Sequence, residues 1–220
     1  MFILEGNVGT GKSTFLGLLT KHLPQVTPAI EIIDQWVHKP TGLQLLKNFY
    51  DDTPRWALTM ELQSLQNRVK DHLYQQEQSP LIVMERSIYS GYYCFAKNGY
   101  EQGFLDPMEW YIYNSWFQFI TGQKCKVPQG FIYLQADPEV SYTRTLHRTR
   151  NAEQNLSKAY LEQIHVKHEE FLIQKKEILP ELESVPTLVL DCNNDFKDNS
   201  KVLTQHLDAL QDFFHAYGHQ

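Results

Sequence analysis

The chain has few cysteines, no long apolar run and no excess of positive charge, and each shortage closes off a class of function. Cys94, Cys125 and Cys192 are the only three cysteines, an odd number at no metal-ligand spacing. That argues against a disulfide framework or a zinc ribbon and for reduced thiols in a reducing compartment. No apolar stretch approaches the roughly 18 residues that a membrane-spanning helix needs. Lys and Arg number 20 against 26 Asp and Glu, a formal net charge of −6. Neither nucleic acid nor an anionic membrane is therefore expected as the main partner. Low-complexity and linker-like segments are missing too. A hydrophobic fraction of 42%, a charged fraction of 21%, 11 Gly and 10 Pro are ordinary globular usage, which excludes a disordered or collagen-like chain. The 220 residues suit one domain spanning 1–220 that holds its core without disulfides or metal. Met1-Phe2-Ile3-Leu4 already reads as a first strand. No signal or transit peptide is expected, and the cytoplasm is the default location.

Short β-type runs alternate with long helical patterns. Phe2–Glu5, Ala29–Ile33, Leu81–Glu85, Gly130–Gln135 and Thr187–Asp191 are nearly continuous apolar runs, as expected of parallel strands covered on both faces. Between them Lys12–His22, Leu43–Tyr50, Arg55–Gln76, Pro107–Thr121, Pro138–His147, Lys158–Ile178 and Asn199–Tyr217 read as helices. The alternation predicts an α/β fold, a doubly wound five-stranded parallel sheet flanked by helices. Ligands then belong at the carboxyl ends of the strands. One helix stands apart, with six aromatics among residues 110–119. Either it is buried whole in its own core, or it has two apolar faces, one for the sheet and one for a second subunit.

The strongest chemical signal is Gly6-Asn7-Val8-Gly9-Thr10-Gly11-Lys12-Ser13, which fits the phosphate-loop pattern G-x-x-x-x-G-K-[ST] between a strand and a helix. Its glycines let backbone N–H groups turn inward around a phosphate, and the helix N-terminus adds partial positive charge. Lys12 would bridge the β- and γ-phosphates of ATP, and Ser13 would ligate Mg²⁺. Motors, GTPases and small-molecule kinases share this loop. The guanine-reading N-K-x-D is absent from the sequence, so GTPases drop out. A second site signal is Leu81-Ile-Val-Met-Glu85-Arg86-Ser87, a buried strand ending in an acid. Glu85 would complete the Mg²⁺ shell opposite the loop, and Arg86 would contact the acceptor oxygen.

These residues resemble the deoxyribonucleoside kinases, the family of deoxycytidine and deoxyguanosine kinases and the insect multisubstrate enzyme. The resemblance runs from Ile3 to about Asp198. It takes in the E-G-N-x-x-x-G-K-S-T start through Thr14, Glu85-Arg86-Ser87 with Tyr89 and Phe95, and Arg148-x-Arg150-Asn151-x-Glu153-Gln154. Further along it covers Tyr160-Leu161-Glu162, His165-x-Lys167-His168-Glu169 and Asp195-Phe196-Lys197-Asp198. It implies an ATP-dependent P-loop kinase that phosphorylates the 5′-hydroxyl of a deoxynucleoside. Glu31, five residues before Trp36, matches the family's base for that hydroxyl, although Ile32 follows where the family has Pro; Asp34 competes for the role. Arg144, Arg148 and Arg150 resemble an Arg-rich lid over about 144–156 that stabilises charge on the transferring group. Tyr50 and Glu153 match the pair that binds the sugar 3′-hydroxyl, and Phe95 matches the aromatic that stacks on the base. Trp36 and Leu46 would line the rest of that pocket. Asp195 and Phe196 fall in a loop at about 193–198 that holds the donor adenine. The family also implies a homodimer, through the helices at 55–76 and 110–119, and inhibition by the end-product triphosphate.

The chain departs from the family at the base-reading position. Five residues after Trp56, where the family has Gln, stands Glu61. A Gln offers one donor and one acceptor, whereas an ionised Glu offers acceptors only. An acceptor pair suits guanine or hypoxanthine, whose N1–H is a donor, so the expectation leans to deoxyguanosine or deoxyinosine. Glu61 accepting from an amino group through water, with broad or pyrimidine specificity, is the alternative. Arg68 lies two turns further along the same face. In the deoxycytidine kinase pattern this Arg pairs with an Asp at the position that is Gly91 here, so Arg68 would pair with Glu61 or reach the ligand. Gln63 points about 200° away from Glu61 on a helix. Two other functions compete. A nucleoside-monophosphate or thymidylate kinase would need further cations for an acceptor phosphate. A non-catalytic P-loop subunit would be expected to have lost Lys12, Glu31 or a lid arginine.

Overall fold

The structure, a computed structural model, describes residues 1–31, 45–78, 81–147, 156–197 and 199–218. Five strands, β1 (Phe2–Glu5), β2 (Thr27–Ala29), β3 (Ile82–Glu85), β4 (Gly130–Gln135) and β5 (Thr187–Asp191), form one sheet in the order β2-β3-β1-β4-β5. Every pairing is parallel. The chain leaves β1 at the centre, and its neighbours β3 and β4 lie on opposite sides. A crevice therefore opens beyond the carboxyl end of β1, where such sheets bind ligands.

Strand alternation sorts the core into two clusters, one on each side of the sheet. Ile3, Met84, Phe131 and Tyr133 join one cluster, whereas Phe2, Leu4, Val83, Ile132 and Leu134 join the other. The second is completed by Phe15, Leu16 and Leu19 of α1 (Lys12–His22). On the same side, Leu203, Leu210, Phe213 and Phe214 come from the last helix. The first cluster takes Phe49 from α2 (Leu45–Asp51), Met60 and Leu65 from α3 (Thr53–Gln75) and Tyr113 and Phe117 from α4 (Pro107–Gln123). Helices α5 (Pro138–His147), α6 (Lys158–His168) and α7 (Ser200–Tyr217) complete the main elements. Local capping fixes where they start. Asp106 and Glu109 close a reciprocal capping box around Pro107 at the head of α4, which satisfies orphan N–H groups.

Helix α4 has two apolar faces. Tyr113 and Phe117 are fully buried, while Tyr111 is 67% and Trp116 53% exposed, with Met108, Ile112 and Phe119 on the same outer stripe. The three cysteines are free and buried at separate places: Cys94 beside the site described below, Cys125 just past α4 and Cys192 just past β5.

Three expectations need correction. β2 starts two residues earlier than expected, at Thr27, and ends at Ala29, because its ladder to β3 pairs Thr27 with Ile82 and Ala29 with Met84; the last two residues of the expected strand, Ile32 and Ile33, lie outside the described residues. Pro28 is tolerated because this strand lies at the sheet edge. The helix expected over Lys158–Ile178 ends its α-helical course at His168 and continues as a π-helical stretch, Glu169–Ile173. Lys175 and Glu177 then adopt left-handed backbone angles, and the Lys175 ammonium donates to the carbonyls of Leu182 and Val185. The third is an omission. Ile88–Ser90, a π-helical Gly91–Ala96 and Lys97–Glu101 form a continuous helical segment whose aromatic and glycine content hides its helical period.

Candidate active site

The phosphate loop is built by close approach. Gly9 has φ 85°, and a Cβ there would stand 2.4 Å from the Ser141 carbonyl oxygen on α5. Only glycine lets the loop nest against α5 at that distance. Asn7 donates from Nδ2 to the Leu161 carbonyl at 2.8 Å, tying the loop to α6. The Lys12 ammonium donates to the carbonyls of Gly6 and Asn7 at 3.0 and 2.7 Å. Burial, reinforced by the nearby Arg86 charge, pushes it down to about 7. An anionic ligand would restore its full charge.

At the end of β3 the Ser13 hydroxyl donates to the two Glu85 carboxylate oxygens, 3.1 and 3.2 Å away. A hydroxyl and a carboxylate are hard oxygen donors, and so sparse a pair suits Mg²⁺, which keeps most of its shell as water and phosphate. The residues present fit the ion. Arg86 follows with φ 63°, a left-handed conformation unusual for a side-chain-bearing residue. Its N–H donates to the Leu4 carbonyl at 2.9 Å. The next residue, Ser87, caps the following helix and donates at 2.5 Å to the fully buried Glu5 carboxyl, which burial pushes up. These bonds hold Arg86 facing the crevice.

Glu31 stands two residues beyond β2 and is bracketed by two guanidinium groups. Arg68 donates from Nε and Nη2 to Glu31 Oε1 at 3.1 and 3.0 Å. Arg86 Nε lies 3.3 Å from Glu31 Oε2. Both guanidinium groups lie over the Phe95 ring, at 5.5 and 4.8 Å from its centroid, a favourable cation–π arrangement. Each has a buried Nη1 with no partner among the described residues. Of the two expectations for Arg68, reaching the ligand stays open because Arg68 lines the crevice, while the pairing with Glu61 is replaced by one with Glu31. Gly91 is part of the reason: a Cβ there would lie 2.8 Å from Arg68 Nη1, so glycine gives the guanidinium room and offers it no carboxylate. Glu61 is buried, and burial pushes its carboxyl up to about 7 against the opposing effect of the Arg68 charge. An acceptor-only Glu61 is thus not the sole form near neutrality.

Two clefts meet along this line. One, of about 710 Å³, is lined by Glu31, Leu46, Tyr50, Glu61, Arg68, Arg86 and Phe95. The other, of about 1000 Å³, is lined by Thr10, Gly11, Thr14, Arg144, Asp195 and Phe196. Gly9, Lys12, Ser13 and Glu85 border both; Val8 borders the first alone. Gly6, Asn7 and Gly91 border neither and act from beneath. Arg144 lies in the last turn of α5 and donates to the Cys192 carbonyl at 2.7 Å, fastening the loop after β5. Phe196 is buried edge-on to Phe15, 5.5 Å between centroids, and the open end of its loop faces the second cleft. Trp36, Arg148, Arg150 and Glu153 lie outside the described residues.

Sequence reasoning missed Phe49, Met60, Ser64 and Tyr160, all on the first cleft. Met60 and Ser64 line the same cleft from α3 as Glu61 and Arg68, and steps of four residues back from Arg68 would have found both. Tyr160 stands edge-on to Tyr50 at 6.3 Å. It belongs to a Tyr-Leu-Glu triplet noted for its resemblance but given no role.

Comparisons with known proteins point to one family. Residues 2–215 match the family model described as "Deoxynucleoside kinase". Human deoxycytidine kinase is 32% identical over 92% of this chain and 87% of its own length. The mitochondrial deoxyguanosine kinase of Xenopus laevis is 33% identical over 90% and 83%. The probable deoxycytidine kinase of fowlpox virus is 32% identical over 96% and 86%.

Proposed function

The chain belongs to the deoxynucleoside kinase family, phosphotransferases with an alcohol group as acceptor, and from that premise we propose how its residues divide the work. The observation that carries the proposal is the meeting of two clefts at Lys12, Ser13 and Glu85. The larger takes ATP, with Thr10, Gly11 and Thr14 along the phosphates and the Asp195-Phe196 loop beside the adenine. The smaller takes the deoxynucleoside, with the base on Phe95, the sugar beside Tyr50, and its 5′-hydroxyl directed at Glu31.

Glu31 accepts the hydroxyl proton, and Arg68 and Arg86 hold its carboxylate in place for the transfer. Lys12, partly neutral without ligand, becomes fully charged beside the phosphates and opposes their negative charge. Arg148 and Arg150 supply further positive charge, and Glu153 joins Tyr50 at the 3′-hydroxyl; the family resemblance supports these three. Trp36 and Leu46 close the base pocket. Ser13 and Glu85 would hold Mg²⁺, which would supply positive charge against the phosphates when bound. The finer reading of specificity is a preference for deoxyguanosine or deoxyinosine, whose N1–H meets an ionised Glu61. Both deoxycytidine and deoxyguanosine kinases are among the relatives, so the preference rests on Glu61.

The protein acts as a homodimer in the cytoplasm. The exposed stripe of Met108, Tyr111, Ile112, Trp116 and Phe119 on α4 supports the dimer, since apolar patches of this kind mark association surfaces. No described helix is long and apolar enough to cross a membrane.

The test is ATP-dependent phosphorylation of the four deoxynucleosides and deoxyinosine, with dTMP and dGMP as monophosphate controls. Deoxyguanosine or deoxyinosine leading is the expected result. A lead by thymidine or deoxycytidine would discard the base preference and keep the kinase, and turnover of monophosphates alone would overturn the assignment.

A further inference from the structure

Glu61 occupies an unusual position. It lies on the wall of the acceptor cleft, 6% exposed, and among the described residues no hydrogen-bond donor reaches its carboxyl. Arg68, two turns along the same helix, is the nearest source of positive charge, but its Nε and Nη2 are both given to Glu31. The other ionisable groups around Glu61 come from every side of the cleft. Glu31 faces it from beyond β2, Arg86 from beyond β3, Tyr50 from α2, Tyr113 from α4 and Tyr160 from α6. Lys12 and Glu85 lie at the phosphate end. Burial holds Tyr113 and Tyr160 well above the usual phenol range, so both are neutral neighbours. What surrounds Glu61 therefore neither fixes it as an anion by a direct bond nor forbids one.

A carboxyl group in that condition has two distinct hydrogen-bonding faces. Protonated, it offers one O–H donor and one C=O acceptor, the pattern of a Gln amide. Ionised, it offers two acceptors. We propose that Glu61 is a two-state reader of the nucleobase edge. Its acid form reads an edge with one donor and one acceptor, which both cytosine and guanine present, and its carboxylate form reads only an edge with two donors, which guanine presents through N1–H and its amino group. This deepens the kinase reading above and rests on it. The carboxylate form excludes cytosine, because it sets an acceptor against the ring N3 in a buried place, where an unpaired polar group is costly; the acid form excludes neither base, since guanine meets it through O6 and N1–H. The environment that pushes Glu61 up to about 7 keeps both states populated at the pH of ordinary assays.

The consequence is a linkage. Binding of deoxycytidine retains or takes up the Glu61 proton, whereas deoxyguanosine binds either form. The ratio of kcat/KM for deoxyguanosine to that for deoxycytidine then follows the inverse of the acid fraction in the free enzyme. It is level below about pH 7 and climbs about tenfold per pH unit above it, about tenfold in all from about pH 6 to about pH 8. Titration of Lys12 or the ATP phosphates acts on both substrates alike and cancels in the ratio.

The experiment measures both kcat/KM values across that range for the wild type and for Glu61→Gln. The expected result is a ratio climbing with pH in the wild type and flat in the variant, whose amide cannot change form. Turnover of both nucleosides with a flat wild-type ratio would overturn the proposal and leave the kinase reading intact. An equal slope in both proteins would also overturn it, because the titrating group would then lie elsewhere. If the variant does not fold, the wild-type slope alone decides. Turnover of other deoxynucleosides but of neither of these two would overturn the proposal alone, and absence of turnover on every deoxynucleoside would remove the kinase reading and this proposal with it.

Discussion

Glu61 makes the fold itself sensitive to pH, in a way that can be measured with no nucleotide present. In the unfolded chain its carboxyl ionises near 4.5, and in the fold near 7. The folded state therefore holds a proton that the unfolded state has released. Stability is unaffected by this group below about pH 4.5, falls as pH rises between the two values, and levels off above the higher one. The accumulated cost of ionising Glu61 in place comes to roughly 3 kcal/mol. Glu61→Gln removes the titration while keeping the side chain's size and shape. The variant should differ from the wild type by a small constant near pH 5 and gain on it steadily, reaching roughly 3 kcal/mol of relative stability by about pH 8. Urea unfolding of both proteins at several pH values, at one fixed protein concentration, gives the comparison directly. All other groups titrate in both proteins and drop out of the difference. A stability difference that stays constant with pH would refute the reasoning, because it would mean that burial places no cost on the Glu61 charge.

Two further outcomes follow from the loop and from α4. Gly9→Ala places a Cβ 2.4 Å from the Ser141 carbonyl at φ 85°; a strained left-handed position costs about 1–3 kcal/mol, and the loop must also move away from α5. A lower melting temperature and a KM for ATP raised by about tenfold or more are expected in calorimetry and steady-state kinetics, and wild-type values for both would contradict the described loop. Trp116→Glu should convert a dimer to monomer in sedimentation with the far-UV circular dichroism unchanged, since the ring is half exposed and outside the core. A variant that stays dimeric would place the interface elsewhere.

How much of this was legible in the sequence depends on how local the cause is. β1, β4, β5, α1 and α5 fall at the expected bounds because an apolar run or a cap within a few residues decides each one. β2 did not, since its extent is set by pairing with β3, more than fifty residues away in the chain. The helical segment from Ile88 to Glu101 was missed for a related reason. Ser87 and Ser90 start it by a capping box, but its Tyr-Tyr-Cys-Phe interior is apolar on every side, so periodicity gives no helix signal. At the site, the phosphate loop and Glu85 could be read from pattern and strand context. The Arg68–Glu31 pair could not: the two residues lie 37 apart in sequence, and only the folded crevice, together with the room left by Gly91, brings them together. The raised Glu61 is of the same kind, because burial is a property of the packed chain.

The three scattered thiols give this protein a set of internal clocks. All are buried, and burial pushes Cys125 up to about 11, Cys192 up to about 12 and Cys94 well above the usual thiol range. A thiol reagent reacts with the thiolate of an accessible side chain, so each cysteine is labelled only during an opening that uncovers it. Cys94 then times excursions of the acceptor pocket wall, Cys125 those at the end of α4, and Cys192 those of the loop that Arg144 fastens. Labelling rates resolved by peptide, with and without ATP or nucleoside, would show which part of the site each ligand quiets, using only side chains the protein already carries.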